Sequence, residues 1–320
     1  MIFQHNETAF EKAKVGTIHF IASVIFAKNF DMQQNSNVAN WNIMIFLAFI
    51  WGSSFILMKR GLEVFSYTQV ADLRMGLAWL SLLPFVWKQV KVLPNHYWLP
   101  LAVVGLFGNG VPAFLFTKAQ TQLDSSLTGI LNALVPLFTL LIAVFVFKTK
   151  VKAHNILGIL IGLIGAVWLI AGDGVVMDNA HYAWFVVAAT ICYAISLNTI
   201  KNYLGDLNPI HITGLAFFFA GPPTLIHLFS TDFLDIMNNG EKAWNALGYI
   251  FILAVIGTSM AVAIFNKLVA RTTAIFASSV TYLIPIFAIM WGVIDGEHIA
   301  LQHILGTAII FGGIYLVNKQ

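Results

Sequence analysis

Ten stretches of mostly apolar sequence follow one another along this chain, at 42–59, 68–87, 97–117, 125–147, 154–171, 182–200, 209–229, 246–266, 274–294 and 300–317. A helix that crosses the hydrocarbon of a bilayer needs roughly 20 such residues. Composition points the same way: 59% of residues are hydrophobic and 10% charged, with a mean hydropathy of +0.82, where soluble domains average about 25% charged. The connections are mostly short, and the longest, "STDFLDIMNNGEK" at 230–242, is too small to be a domain. The expected fold is therefore all-α and integral to the membrane, with any function lodged within or between helices. The single cysteine, Cys192, excludes an intrachain disulfide and a cysteine-built metal site.

Orientation follows from the lysines and arginines of the connections. One side carries Lys12, Lys14, Lys28, Lys88, Lys91, Lys148, Lys150, Lys152, Lys201, Lys267, Arg271 and Lys319, and the other only Lys59, Arg60, Lys118 and Lys242. Both termini are thus expected in the cytoplasm of a cell (inner or plasma) membrane protein, as an even number of spans also requires. Residues 1–40 are an extension of uncertain status. Their stretch "VGTIHFIASVIFA" at 15–27 is short for a span. Two readings stay open: Met32 is the true start, or the segment is interfacial or a cleaved leader.

The chain also repeats itself. Shifting "GNGVPAFLFTK" (108–118) by 149 residues lands on "GTSMAVAIFNK" (257–267), and the same register carries Pro136 onto Pro285 and His154 onto His303. Upstream, a shift of 142 sets "WGSSFILMK" (51–59) on "YAISLNTIK" (193–201). Two copies of a five-helix unit, 41–172 and 181–318, follow. Because five is odd, the second copy enters the membrane the other way up, so ten transmembrane helices form two inverted five-helix repeats. Such repeats are a transporter architecture, with substrate sites near the midplane where helices are interrupted by Gly or Pro.

These residues resemble the EamA domain of the drug/metabolite transporter superfamily. The likeness lies in the Trp-Gly, Lys59 and Arg74 of "FIWGSSFILMKRGLEVFSYTQVADLRMGLAWLSLLP" (49–84), in "GLFGNGVPAFLFTKAQTQLDSSLTGILNALVPLF", and in the stretch ending at Gly296 and Glu297. It implies ten helices, cytoplasmic termini and movement of small metabolites without ATP hydrolysis. Three departures stand out. Ser66 and Tyr67 replace the proline usual before the second helix, both fourth-helix prolines lack an acidic neighbour (Val135-Pro136, Ile284-Pro285), and the first copy ends in Lys148 rather than Gly-Glu. The second departure weakens any carboxylate-based coupling.

Several residues stand out as cavity candidates. Gly108, Asn109, Gly110 and Pro112 put poor helix chemistry inside a span, and locally unwound backbone is tolerated at that depth only against protein or a water-filled cavity. Asn109 is expected to face the cavity, so that Asn109→Leu would impair transport more than folding. The stripe Ser125, Thr128, Asn132, Pro136 and Thr139 shares one helix face, with Ser278, Thr281 and Pro285 in matching register and Ser279 and Tyr282 beside them. Its hydroxyls either wall a cavity or glue helices together. Asn198 and Thr258 join this set, as do Trp51 and Trp291, whose indoles either stack on substrate or anchor helices. Arg74, charged inside a span, is a functional hypothesis by default, although it lies close enough to the outer end to snorkel. Asp72, two residues away, points to another helix face. Lys59 and Lys118 at outer helix ends, and Lys201 and Lys267 at inner ones, are gate candidates or simple anchors. The glycines of "GILIGLIGAVW" (158–168), with Gly306, Gly312 and Gly313, read as helix-packing chemistry.

No phosphate-binding loop, metal-ligand cluster, nucleophile elbow or paired carboxylates are found, so neither a cofactor nor catalysis is expected. The partners expected are a small-molecule substrate and the lipid bilayer, with a second copy of the chain as an option and no nucleic acid. The function expected is secondary transport, tilted to export, of small metabolites or amino-acid-like solutes by alternating access. The alternative is a non-transporting membrane enzyme or sensor for a lipid-soluble ligand.

Overall fold

The computed structural model describes residues 38–149, 152–172, 180–272 and 274–318. The expectations for residues 1–37, and most of the expected boundary between repeats at 172–180, fall outside them. By compactness the chain divides into Met1–Ile43 and Met44–Gln320. In the first unit residues 38–43 are described, and they are helical. The second unit holds everything discussed below.

Among the described residues all regular structure is helical. The long helices are α1 (Val38–Leu62), α2 (Tyr67–Val86), α3 (Asn95–Ala119), α4 (Ser125–Phe145), α5 (Ala153–Gly172), α6 (Ala183–Tyr203), α7 (Pro209–Phe229), α8 (Ala243–Arg271), α9 (Phe276–Ile294) and α10 (Leu301–Asn318). Seven of them, α1, α3, α4, α6, α7, α8 and α9, are long and apolar enough to cross a membrane, while α5 and α10 carry shorter apolar stretches, Ala153–Gly165 and His303–Gly313. Large apolar side chains face outward: Leu99 is 74% exposed, Phe145 78% and Ile226 75%. In water such a surface would aggregate, so this is a membrane-embedded multi-pass protein with lipid as the solvent of its outer face. The connection 230–242 contains a short helix, Phe233–Asn239.

Helix starts explain one departure noted in the sequence. Ser66 replaces the usual proline by capping α2 directly: its Oγ accepts from the Gln69 amide at 3.3 Å, and Gln69 Oε1 accepts from the Ser66 amide at 2.9 Å. That reciprocal pair satisfies two of the donors a helix start leaves unpaired. At the position 142 residues on, Asn208 caps α7 by accepting from the Ile210 amide at 3.1 Å, and Pro209 follows as the first helical residue. Different chemistry performs one task in the two halves.

The "GNGVP" stretch does not unwind α3. It widens it, with a π-helical turn at Leu106–Gly110 and Pro112 opening the α-helix beyond. The widened turn absorbs the proline, whose ring would otherwise meet a preceding carbonyl. In α8 the π-helical segment is Val255–Met260, at the register 149 residues on. Side chains meet carbonyls that each turn displaces: Asn109 Nδ2 donates to Val104 O at 3.3 Å, and Thr258 Oγ1 donates to Leu253 O at 2.9 Å. Breaks of 3₁₀ type also match, at Asn132–Leu134 in α4 and Ser279–Tyr282 in α9.

Corresponding helices pack on each other, α2 along α7 and α5 along α10. Small side chains make the α2–α7 contact close, with Ala71, Ala78 and Ala220, joined by Ala113 of α3, packed around Met75 and Phe217. A Cβ at Gly313 would lie 2.4 Å from the Gly162 amide and 2.5 Å from Gly158 O, which bears out the packing role of those glycines, whereas one at Gly312 would meet nothing within 4 Å. Nearer the centre a Cβ at Gly105 would lie 2.1 Å from Ala216 O. Gly105→Ala is therefore expected to lower stability by about 1–3 kcal/mol through forced separation of α3 and α7, measured by thermal unfolding in detergent. Gly312→Ala should change it little.

Candidate functional site

A cavity of about 120 Å³ opens beside the π-helical turn of α3 and the 3₁₀ breaks of α4 and α9, with the π turn of α8 behind its wall. Of the residues singled out in the sequence, Trp51, Arg74, Gly108, Asn109, Asn132, Ser278 and Thr281 line it. Its apolar wall includes Phe55, Met58, Phe116 and Phe265. Trp51 is held by two contacts, an Nε1–H bond to Gly257 O at 3.0 Å and an edge-on packing against the Phe265 ring at 5.0 Å. Its ring is thereby fixed as part of the wall. Asn132 is 5% exposed, and its Oδ1 has no hydrogen-bond partner among the described residues.

Arg74 does not snorkel. It is 9% exposed, lies in the cavity wall, and its Nε donates to Thr258 Oγ1 at 2.9 Å. Thr258 thus sits behind the arginine rather than in the lining, holding both the guanidinium and the π turn of α8. Asp72 is turned elsewhere, as its spacing from Arg74 requires: its Oδ2 lies 2.6 Å from His227 Nδ1 on α7.

Other expected residues lie outside the lining. Asn198 donates to Thr139 O at 3.1 Å and Ala194 O at 2.9 Å, tying α6 to α4. Thr128 donates to Asp124 O at 2.9 Å within its own helix. Tyr282 is not part of the lining, and Trp291 donates to Ser53 Oγ at 2.8 Å. Asn109 does line the cavity, but its bond to Val104 O gives it a structural task as well, so Asn109→Leu strands a carbonyl and costs stability along with any activity.

The lysines divide. Lys59 Nζ sits 2.6 Å from Asp295 Oδ2 and 3.0 Å from Glu297 Oε1, and Arg60 bonds the other oxygen of Asp295. Glu297 also accepts from the Ser125 and Ser126 amides at 3.0 Å each and from Ser126 Oγ at 2.7 Å. One carboxylate therefore caps α4 and joins it to α1 and to the end of α9, which fastens this end of the helix bundle. Lys201 instead donates to Val269 O at 3.2 Å and Thr272 O at 2.6 Å, closing the end of α8. Lys118 lies over the Tyr67 ring at 4.4 Å, and Lys267 is exposed.

Reasoning from sequence passed over Ser54, Tyr193, Ser196, Thr213 and Asn266 in the lining and Asp295 in the fastening, and it took Glu297 as part of a motif without its role. Asn266 donates to Thr213 Oγ1 at 2.9 Å, which ties α8 to α7 beside the cavity. Its place next to Lys267 in "IFNK" was a readable signal. Gly108, singled out in the sequence for its poor helix chemistry, also serves packing: a Cβ there would lie 2.3 Å from Ser196 Oγ, so the glycine lets α6 approach α3.

Glu297 makes acid sensitivity testable. Burial alone would raise its carboxyl, but hydrogen bonds from Ser126 and Lys59 and from the two amides outweigh burial and hold it below its reference value of 4.5. A carboxyl lowered on folding contributes stability that is complete above the unfolded value and is lost as pH falls through the folded one. Melting of the detergent-solubilised protein should thus drop as pH is taken below about 4.5. Glu297→Gln should lower stability by about 1–3 kcal/mol at neutral pH and flatten that drop; an unchanged acid profile in the variant would exclude Glu297 as its source.

Comparison with known proteins fits this picture. A family model described as the EamA-like transporter family matches residues 39–171 and again 181–319. The chain is 27% identical over 283 residues to an uncharacterized inner membrane transporter, YedA, of Escherichia coli, covering 85% of this chain and 88% of that one. It is 23% identical to an uncharacterized transporter of Synechocystis (91% and 93% covered) and 22% identical to a protein of Salmonella typhimurium named "Probable amino-acid metabolite efflux pump" (86% and 93% covered). A solved crystal structure of another protein shares the fold with a TM-score of 0.60 at 16% identity, over 88% of this chain and 97% of that one. These relatives are named as transporters and not as enzymes.

Proposed function

We propose that this chain, which belongs to the EamA-like transporter family, is a secondary transporter that moves small metabolites or amino-acid-like solutes by alternating access. Its ten helices act as ten spans in two inverted five-helix repeats, 41–172 and 181–318, with both termini cytoplasmic. The paired π turns, the paired 3₁₀ breaks and the packing of α2 on α7 and α5 on α10 support the repeat. The excess of Lys and Arg in alternate connections supports the orientation.

The cavity carries the reading. It is lined from both halves, from α1 to α4 on one side and α6 to α9 on the other, and broken helices border it from each half. Two halves that move against each other around such a cavity expose it to one side of the membrane and then to the other. In this state Lys59, Asp295 and Glu297 fasten one end, and Lys59 and Lys201 serve as parts of the two gates. The name borne by the Salmonella relative supports outward movement and amino-acid-derived solutes.

Purified protein in proteoliposomes is expected to give saturable flux of a subset of a metabolite panel. Trp51→Leu should reduce that flux about tenfold or more by opening the cavity wall, while shifting the melting temperature far less than Gly105→Ala. No saturable flux for any solute across a broad panel would remove the transporter reading.

A further inference from the structure

Among the described residues, no carboxylate faces the charge in the cavity. Among the residues that line it, Arg74 carries a permanent charge and no Asp or Glu is present. Arg74 is 91% buried, since 9% of its surface is exposed. A guanidinium has five N–H donors in a planar fork, and among the described residues its one hydrogen bond runs from Nε to Thr258 Oγ1. That bond holds the back of the group, leaving the terminal nitrogens, the face that binds carboxylates in paired fashion. The carboxylate nearest in sequence, Asp72, is engaged with His227. A buried cation without a partner is costly, and the fold keeps this one in place with a dedicated side chain.

We infer that Arg74 is the anchor for a carboxylate, and that the cavity takes small organic anions made of one carboxylate and a compact apolar body. The remainder of the wall fits that body: Phe55, Met58, Phe116 and Phe265 offer apolar and aromatic surface. The charge balance ranks ligands within one carbon skeleton. A monoanion neutralises Arg74. A zwitterion brings in an ammonium that meets only neutral acceptors such as Asn132 Oδ1, with no carboxylate in the lining to balance its charge, and a neutral amide leaves the arginine without a counter-charge. An amine places a second cation beside it. This rests on the cavity being the solute site of the proposed transporter, and it goes further by naming what the solute must carry.

Binding to the purified full chain, read by thermal stabilisation and by tryptophan fluorescence, separates the two readings because it does not depend on flux. Two matched sets serve as probes: 3-phenylpropionate, phenylalanine, 3-phenylpropionamide and phenethylamine, and hexanoate, norleucine, hexanamide and pentylamine. Inorganic phosphate is the control for anion binding without an apolar body. The expected order in each set is carboxylate, then amino acid, then amide and amine, with the carboxylate about tenfold to a hundredfold tighter than the amide and phosphate weaker than either carboxylate. Arg74→Lys should retain the order with reduced affinity, and Arg74→Gln should abolish it. The ranking in the unsubstituted protein stands as a test even if Arg74→Gln fails to fold. Amides or amines binding within twofold of the carboxylates, amino acids binding tighter than them, phosphate binding tighter than both, or no binding of either carboxylate would overturn the inference. Binding in the expected order without flux would leave the anion site intact and defeat the transport reading. Saturable flux of amines or amides without carboxylate preference would do the reverse.

Discussion

Backbone groups inside a membrane must be satisfied by the protein itself, and the centre of this molecule is arranged around that demand. Two helices widen at corresponding points and displace carbonyls from their ladders. Asn109 meets one in α3, and Thr258 and Ser259 meet others in α8, where Ser259 Oγ donates to Ala254 O at 3.1 Å. Thr258 also accepts the Arg74 Nε–H bond. The residue that repairs the helix therefore aims the cavity's charge, so the stability of the π turn and the chemistry of the site are one arrangement.

A second arrangement acts at one end of the bundle. Glu297 stands at the start of α4 with its carboxylate on the amides of Ser125 and Ser126, where the helix dipole favours negative charge. Lys59 and Arg60 approach from α1, and Asp295 shares them. In the first half Lys148 stands where the second half has Glu297, so the corresponding end lacks this carboxylate and Lys201 is spent on backbone carbonyls instead. The two halves thus match in helices and turns and differ in charge at their ends.

Much of this was legible in advance for reasons of local chemistry. The poor helix chemistry of 108–112 marked the centre of α3, and the shift of 149 residues led to its counterpart in α8. Of the polar stripe on α4 and α9, Asn132, Ser278 and Thr281 lie in the cavity lining. The stripe pointed too broadly for Thr128, because helical spacing places a residue on a face without stating whether its hydroxyl meets solvent or the carbonyl four residues back. Arg74 could be read as a snorkelling residue because distance to the helix end is a sequence quantity, whereas Thr258 as its partner is 184 positions away. Glu297 was noticed as part of a motif, but its role required knowing that the start of α4 lies against it.

By itself the sequence determined the solvent, the helical class and the place of the irregular turn in α3, since each rests on hydropathy, spacing or backbone propensity over a few tens of residues. The tertiary structure alone decided which polar groups are already paired. It spends Asn198 and Trp291 on protein partners, brings Tyr193, Thr213 and Asn266 into the lining, and leaves Arg74 facing the cavity without a carboxylate among the residues around it. The reason is physical: a polar side chain in a low-dielectric interior is costly until it is paired, and pairing is set by contacts between helices far apart in the chain, which no local pattern records.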